Sequence, residues 1–282
     1  VWSYHTNFGG IIIMSVKLIA IDMDGTLLNE HSELNPATVQ AINAANAQGI
    51  KVVICTGRPL SGVTPFLKQL GIAGEDNYVI TFNGSMVQTI TGKIITGLTL
   101  SHDDYIDIET LSRKLNIHCH VESEDHIYTA NRNISPYTVG ESALVNMPIR
   151  FRTSEEMRPD LPIVKCMFID HAPLLDAAIK QLPASFSKRF TIVRSEAYFL
   201  EFMNPAASKG NALATLTDHL NLTADEVMAI GDQGNDLSML RYATNSVAMG
   251  NAIDEAKQIA RYETKTNVED GVAHAINTWA LA

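Results

Sequence analysis

Positive charge is in short supply in this sequence. Its 21 lysines and arginines face 31 aspartates and glutamates, a formal charge of −10. Nucleic-acid-binding chains normally carry a basic face, so nucleic acid is not the expected partner. Cysteine is scarce as well. Cys55, Cys119 and Cys166 are odd in number, widely spaced and without a C-x-x-C pair. That pattern reads as reduced thiols in a cytoplasmic protein rather than a disulfide framework. No apolar run approaches the roughly 20 residues of a membrane span, so no membrane partner is expected. The opening stretch "VWSYHTNFGGIII" has neither a basic n-region nor a small-residue cleavage site, so it does not read as a convincing signal peptide. Met14 reads as a start, and residues 1–13 as an upstream or non-native extension. Internal repeats and low-complexity tracts are missing too.

What the sequence does have is a core. Hydrophobic residues make up 46% of 282, enough to bury a full interior. At ~150 residues per domain the length suggests about two domains. Both ends of the chain alternate apolar strands with helices. Residues 16–21, "KVVICT", "YVITFN", "EVMAIGD" and "SVAMG" read as strands. "NPATVQAINAANAQG" reads as a helix with Asn35 as N-cap, Pro36 in the first turn and Gly49 as stop. Apolar strands alternating with helices predict an α/β fold with a parallel sheet covered on both faces. The middle reads differently. "MVQTITGKIITG" predicts a hairpin turning at Thr91-Gly92, and Ser101 with Asp104 predicts a capping box. Short strands "IHCHV" and "HIYTA", a stretch punctuated by Pro148, Pro159 and Pro162, and the strands "FTIVRS" and "YFLEFM" complete an α+β insert. The expected division is 14–84 and 201–282 for one discontinuous domain and 85–200 for the insert, with Asn83-Gly84 as the hinge.

Polar clusters stand at three predicted strand ends. Asp22 and Asp24 follow "LIAI", Thr56-Gly57-Arg58 follow "KVVIC", and Asp232, Asn235 and Asp236 follow "EVMAI". Ligands of open α/β sheets bind at the carboxyl ends of the strands, so the clusters converge on one crevice. Two like charges as close as Asp22 and Asp24 are costly unless something positive sits between them. Three acids, Asp22, Asp24 and Asp232, suit Mg²⁺, which takes few carboxylates and a substrate phosphate oxygen. Thr56 and Gly57 offer a hydroxyl and backbone N–H groups to a phosphate, and Pro59 opens a helix whose N-terminus adds to them. Lys209 at another helix start would neutralise phosphoryl charge. A carboxylate can attack phosphorus as a nucleophile while a second acid serves as acid and base. Asp22 would attack and Asp24 would move the protons.

"DMDGTLL", "TGR", the lone Lys209 before a helix and "GDQGND", in that order, resemble the four motifs of the haloacid dehalogenase superfamily phosphatases. The long insert between the second and third motifs resembles the C2-type cap of the Cof-type subfamily. The resemblance runs from about Val16 to the C-terminus. It implies a Rossmann-like core with a mobile cap, and Mg²⁺-dependent hydrolysis of small phosphorylated metabolites, most of all sugar phosphates. It implies Asp22 as nucleophile and Mg²⁺ ligand, and Asp24 as acid/base with its carbonyl on the metal. Asp232 would complete the ligands, with Asp236 behind them. Thr56, Gly57, Lys209, Asn235 and the Met23 amide would bind phosphate.

Plainer readings compete at several positions. Asp-rich turns often only bond their own backbone. An EF-hand fails on spacing, since counting from Asp22 puts Gly25 two places too early and counting from Asp232 puts Leu237 where glycine is required. Cys55 reads as core. His118 and His120 would share a strand face, but no third ligand stands at metal-site spacing, so they read as cap-surface histidines. "ESEDH" reads as a solvated turn, or as part of the cap's inner face. Arg58 either touches substrate or braces a carboxylate. Two other functions remain open: phosphoryl transfer of the phosphomutase kind, and a phospholigand-binding module without turnover, for which a nucleophile would be superfluous.

Overall fold

A computed structural model describes residues 16–281 of the chain; the extension read at 1–13 lies outside the described residues. The chain opens with β1 (Leu18–Asp22), α1 (Pro36–Ala47), β2 (Lys51–Cys55), α2 (Leu60–Gln69) and β3 (Tyr78–Thr81), followed by β4 (Met86–Thr89) and β5 (Ile94–Gly97). An insert follows: α3 (His102–Leu115), β6 (Cys119–Glu122), β7 (Ile127–Thr129), α4 (Pro136–Val145), β8 (Ile149–Phe151), β9 (Lys165–Ile169), α5 (Ala172–Ile179), α6 (Phe186–Arg189), β10 (Thr191–Glu196) and β11 (Phe199–Met203). The chain then returns through α7 (Lys209–His219), β12 (Val227–Gly231), α8 (Leu237–Tyr242), β13 (Asn245–Ala248) and β14 (Tyr262–Glu263).

Two sheets result. The first has the order β14-β13-β12-β1-β2-β3-β4-β5 and the second β10-β11-β9-β6-β7-β8. From β14 to β3 every pairing in the first sheet is parallel. Its central strands are buried end to end, because both faces carry helices and leave no wet side to alternate toward. Strands β4 and β5 extend this sheet in antiparallel sense, turning at Gly92 with φ +92°. Residues 86–97 therefore pair with the first sheet, which corrects the expected boundary at 85. Asn83-Gly84 likewise joins two neighbouring strands of one sheet, so it is not where the chain crosses to the insert. The crossing comes after Gly97. At the far end, β11 runs to Met203 within the second sheet, three residues beyond the expected limit of 200. Both crossings lie side by side, tied by Asn204 Nδ2 donating to Thr99 O at 3.1 Å.

The second sheet is antiparallel apart from the β7–β8 pair. Strand alternation gives it two unlike faces. Cys166, Phe168, Leu200, Phe202 and Val121 point to an apolar cluster completed by Tyr105 and Ile108 of α3, Leu175 of α5 and Phe186 of α6. Their neighbours His120, Glu122, Lys165, Met167 and Glu201 point the other way. The capping box at Ser101 and Asp104 is formed, with Asp104 N donating to Ser101 Oγ at 3.1 Å and Ser101 N to Asp104 Oδ2 at 3.0 Å. Helix α1 ends at Ala47 and the chain turns at Gly49, φ +81°. No helix among the described residues is long and apolar enough to cross a membrane.

Candidate active site

The register of the first sheet brings the acids together. Ile21 pairs with Ile54 on one side and with Ile230 on the other. Asp22 therefore leaves β1 beside the end of β12, and Asp232 follows one residue after that strand stops. From β1 the chain proceeds outward to β2 and β3, while β12 to β14 build the opposite half. The gap between β1 and β12 is thus the switch point where such sheets bind ligands.

Asp22 is buried, and its Oδ1 accepts from Lys209 Nζ at 2.5 Å. Lys209 is fully buried and also donates to Asp236 Oδ1 at 2.6 Å. Asp236 Oδ2 accepts the amides of Asp232 and Gln233 at 2.9 and 3.0 Å, so both of its oxygens are committed. Asp232 Oδ1 accepts from Thr26 Oγ1 at 2.8 Å. Burial drives the Asp22 carboxyl well above the usual range, with the Lys209 ammonium pulling against it. Burial also raises Asp232, and neighbouring Asp236 adds to that. For Lys209, burial would lower the ammonium's pKa, but Asp22 and Asp236 outweigh it and raise it. Lys209 is bonded to two of these three carboxylates and not to Asp232, a surplus of negative charge that favours a cation.

A divalent ion fits these residues. Oxygens of Asp22, Asp232 and Asp236 all lie within 4.8 Å of one another. Asp236 spends both oxygens on hydrogen bonds, which leaves Asp22 and Asp232 as the carboxylates that could turn an oxygen to a metal. Gly25 keeps the space in front of Asp232 open. A Cβ there would stand 2.6 Å from Asp232 Oδ2, and φ is +82°. Asn251 holds the same turn by donating to Gly25 O at 2.8 Å.

Asp24 faces outward. Its carboxylate takes a two-pronged contact from Arg58, Nε to Oδ2 at 2.9 Å and a terminal nitrogen to Oδ1 at 2.5 Å. Of the two roles open to Arg58, the structure has it brace a carboxylate. Thr56 gives its own N–H to Ile80 O at 2.9 Å, so only its hydroxyl remains as a donor for a ligand. This corrects the expectation that both Thr56 and Gly57 amides are free. Asn235 Nδ2 donates to Asn83 Oδ1 at 3.0 Å, and Asn83 N to Thr56 O at 2.9 Å, linking two strand ends. Gly57 lies under Asn83, where a Cβ would come within 3.1 Å of its side-chain nitrogen. Met23 is fully buried beside Asp22.

These groups floor a cleft of about 510 Å³. Its core wall holds Asp22, Asp24, Thr56 and Arg58, and its opposite wall Glu141, Lys165, Ser195 and Glu201 from the insert. A larger cavity of about 720 Å³ adjoins it through Asn83 and Asn235 but contains none of the aspartates. The insert is seated on the core: Ser61 Oγ of α2 donates to Val145 O of α4 at 2.7 Å.

Comparison with known proteins decides the family. The profile of the haloacid dehalogenase-like hydrolases matches residues 19–276. The chain belongs to that family. A Streptococcus pyogenes serotype M6 protein, "Putative phosphatase M6_Spy0533", is 51% identical over 95% of this chain and 100% of its own length. "Putative phosphatase YxeH" of Bacillus subtilis is 44% identical over 94% of this chain and 99% of its own. Among solved structures, a haloacid dehalogenase-like hydrolase from Bacteroides thetaiotaomicron superposes with a TM-score of 0.84 at 32% identity, covering 93% of this chain and 98% of that one.

Elsewhere the sequence reading needs correction. His118 and His120, both read as cap-surface histidines, have different surroundings. His118 Nδ1 lies 2.7 Å from Asp170 Oδ2. His120 is not on the surface but buried, against Thr138 Oγ1 at 3.0 Å and Met167 Sδ at 3.3 Å. Burial, aided by nearby Lys165, pushes its pKa down to about 3, so its ring is neutral. "ESEDH" is split: Glu122 and Ser123 are buried while Glu124 and Asp125 are exposed. Cys55 is buried in β2, as expected of a core thiol.

Proposed function

We propose that this hydrolase is a Mg²⁺-dependent phosphomonoesterase acting on small phosphorylated metabolites, sugar phosphates foremost, through an aspartyl-phosphate on Asp22. The observation that carries this reading is the junction at the end of β1. There one carboxylate keeps an oxygen open to the cleft while a fully buried lysine holds the other. Names of two close relatives, both phosphatases, support the same class.

Lys209 fixes Asp22 by Oδ1 and aims the remaining oxygen at phosphorus. Two of the three ammonium hydrogens are committed, leaving one for a phosphoryl oxygen. The Thr56 hydroxyl and the amides of Met23 and Gly57 add donors, with Asn235 behind them. A bound Mg²⁺ would be held by Asp22, Asp232 and the Asp24 carbonyl, and would neutralise charge on the transferring group. In the first step Asp22 forms a bond to phosphorus as the bond to the leaving oxygen breaks, and Asp24 gives that oxygen a proton. In the second, Asp24 takes a proton from water, whose oxygen displaces Asp22 and yields inorganic phosphate. The Arg58 contact braces the Asp24 carboxylate at the edge of the cleft. For the first step Asp24 must leave Arg58 and carry a proton.

The test is release of phosphate from p-nitrophenyl phosphate with Mg²⁺ and with EDTA, for wild type and Asp22→Asn. The expected result is metal-dependent turnover that falls by roughly 10⁴-fold or more in the variant, the scale of losing a nucleophile. Tight phosphate binding without turnover on this ester and on a panel of sugar phosphates would favour a binding module instead. Isomer formation without free phosphate would favour a mutase.

A further inference from the structure

The wall opposite the aspartates takes no part in the chemistry above, yet it is built from buried ionisable groups. Alternation along β6, β9 and β11 sets Glu122 beside Lys165, and Glu201 beside Met167, on the face turned from the insert's apolar cluster. Glu141 reaches the same place from α4. Lys165 Nζ stands 3.1 Å from Glu122 Oε1, 3.6 Å from Glu141 Oε1 and 3.7 Å from Glu201 Oε2. The contact to Glu122 is close but off the hydrogen-bonding direction, and the other two are too long to be hydrogen bonds. All four side chains are more than nine-tenths buried. Glu201 Oε1 accepts from Ser195 Oγ at 2.5 Å. Glu141 Oε2 is buried and has no hydrogen-bond partner.

A buried carboxylate oxygen without a donor is a costly thing to keep, and it marks where a donor is missing. Water can fill such a place in the free protein. Glu141, Lys165, Ser195 and Glu201 line the same cleft as Asp22 and Asp24, so a ligand whose phosphate meets the aspartates presents its other end to them. One ammonium against three carboxyls leaves this wall rich in acceptors. Its charge is negative whether or not Glu122 carries a proton.

Resting on the phosphatase reading, we propose that Glu141, Glu201 and Lys165 form the subsite for the substrate's non-phosphorylated end, and that it selects a hydrogen-bond-donating end over an anionic one. Hydroxyls or an amine satisfy the open carboxylate oxygens, and Lys165 can turn toward a hydroxyl oxygen. A carboxylate or a second phosphate meets like charge in a poorly solvated place.

Three probes share one carbon skeleton and one phosphate position: glucose 6-phosphate, glucosamine 6-phosphate and 6-phosphogluconate. For wild type, kcat/KM for the first two should exceed that for the third by about tenfold or more, since a like-charge encounter at a buried site is strongly unfavourable. Glu141→Gln keeps the shape and removes a charge, and should narrow that ratio by about tenfold. Glu201→Gln, on another strand, is the second variant should the first not fold, with a thermal melt to check both. Equal turnover of 6-phosphogluconate by wild type overturns the proposal, as does a ratio that neither variant moves, which would make the cluster purely structural. Cleavage of p-nitrophenyl phosphate with none of the three sugar esters touched overturns it too. Failure of wild type on p-nitrophenyl phosphate and on all three sugar esters with Mg²⁺ is a different result: it removes the phosphatase reading itself, and the subsite with it.

Discussion

Each of the two walls has one buried lysine, Lys209 behind Asp22 and Lys165 among the insert's glutamates, and they are paired in opposite ways. Lys209 stands between two aspartates at 2.5 and 2.6 Å, in direct hydrogen bonds. Lys165 stands among three glutamates at 3.1 to 3.7 Å, with no comparable bond. The first arrangement is closed and leaves little room for movement, as suits groups that must hold one oxygen at one place. The second has more acceptors than donors and looser distances. A directly hydrogen-bonded ion pair fixes geometry; a looser one leaves its groups free to turn toward a partner. Burial alone would lower both ammonium pKa values, and in both cases the surrounding carboxylates win and raise them.

Breaking each cluster at its lysine is the strongest way to test this contrast. Lys209→Met leaves Asp22 and Asp236 buried without their cation. About 3–5 kcal/mol of stability should be lost by urea denaturation, and turnover should fall on the order of 10²–10³-fold. Lys165→Met should cost less, about 1–3 kcal/mol, and the cost should be larger at pH 8 than at pH 5. At the lower pH the abandoned glutamates can take up protons. Equal cost at both values would mean that the three glutamates are not in excess.

Glu122 sharpens the comparison further. Burial, with Glu141 and Glu201 adding to it and Lys165 opposing, pushes its pKa up to about 8 from an ordinary 4.5. The folded protein then holds this proton more tightly than the unfolded chain. Stability from this group is present below pH 4.5 and is lost as pH rises toward 8, at roughly 1 kcal/mol per pH unit. Glu122→Gln should flatten that slope, as read from denaturation midpoints across the window. A smaller effect is expected at the seam between the two walls. Ser61→Ala removes the bond to Val145 O, worth about 1 kcal/mol, and should raise KM by a few-fold while kcat changes little.

Much of the core wall could be read in the sequence because strand ends are marked there by an abrupt change of residue type. "LIAID", "KVVICTG" and "EVMAIGD" each turn from apolar to polar at one step, and parallel pairing does the rest. The opposite wall was harder to read because it is made of single charges inside apolar strands. Lys165 in "IVKCMFID" and Glu201 in "YFLEFM" were such signals: a lone charge where alternation makes the face, with neighbours on other strands that no local pattern reveals. Helix α4 is faint in the sequence for a related reason. Its Ser135-Pro136 start repeats the Asn35-Pro36 start of α1, but "PYTVGESALV" lacks a clean apolar stripe. The hairpin at 86–97 is legible as a hairpin but its sheet is not, since nothing within a hairpin says what its outer edge pairs with. The role of Arg58 follows from Asp24, whose carboxylate turns outward to meet it.

The bond between Asn204 and Thr99 has a meaning beyond its 3.1 Å. It joins the point where the chain departs for the second sheet to the point where it comes back. A segment that leaves and returns at one place can be added, removed or exchanged as a unit without shifting the strands on either side. The roof over the aspartates is therefore a replaceable part: two cuts in a gene, at neighbouring points of the fold, would exchange it whole while the strands that carry the aspartates stay where they are.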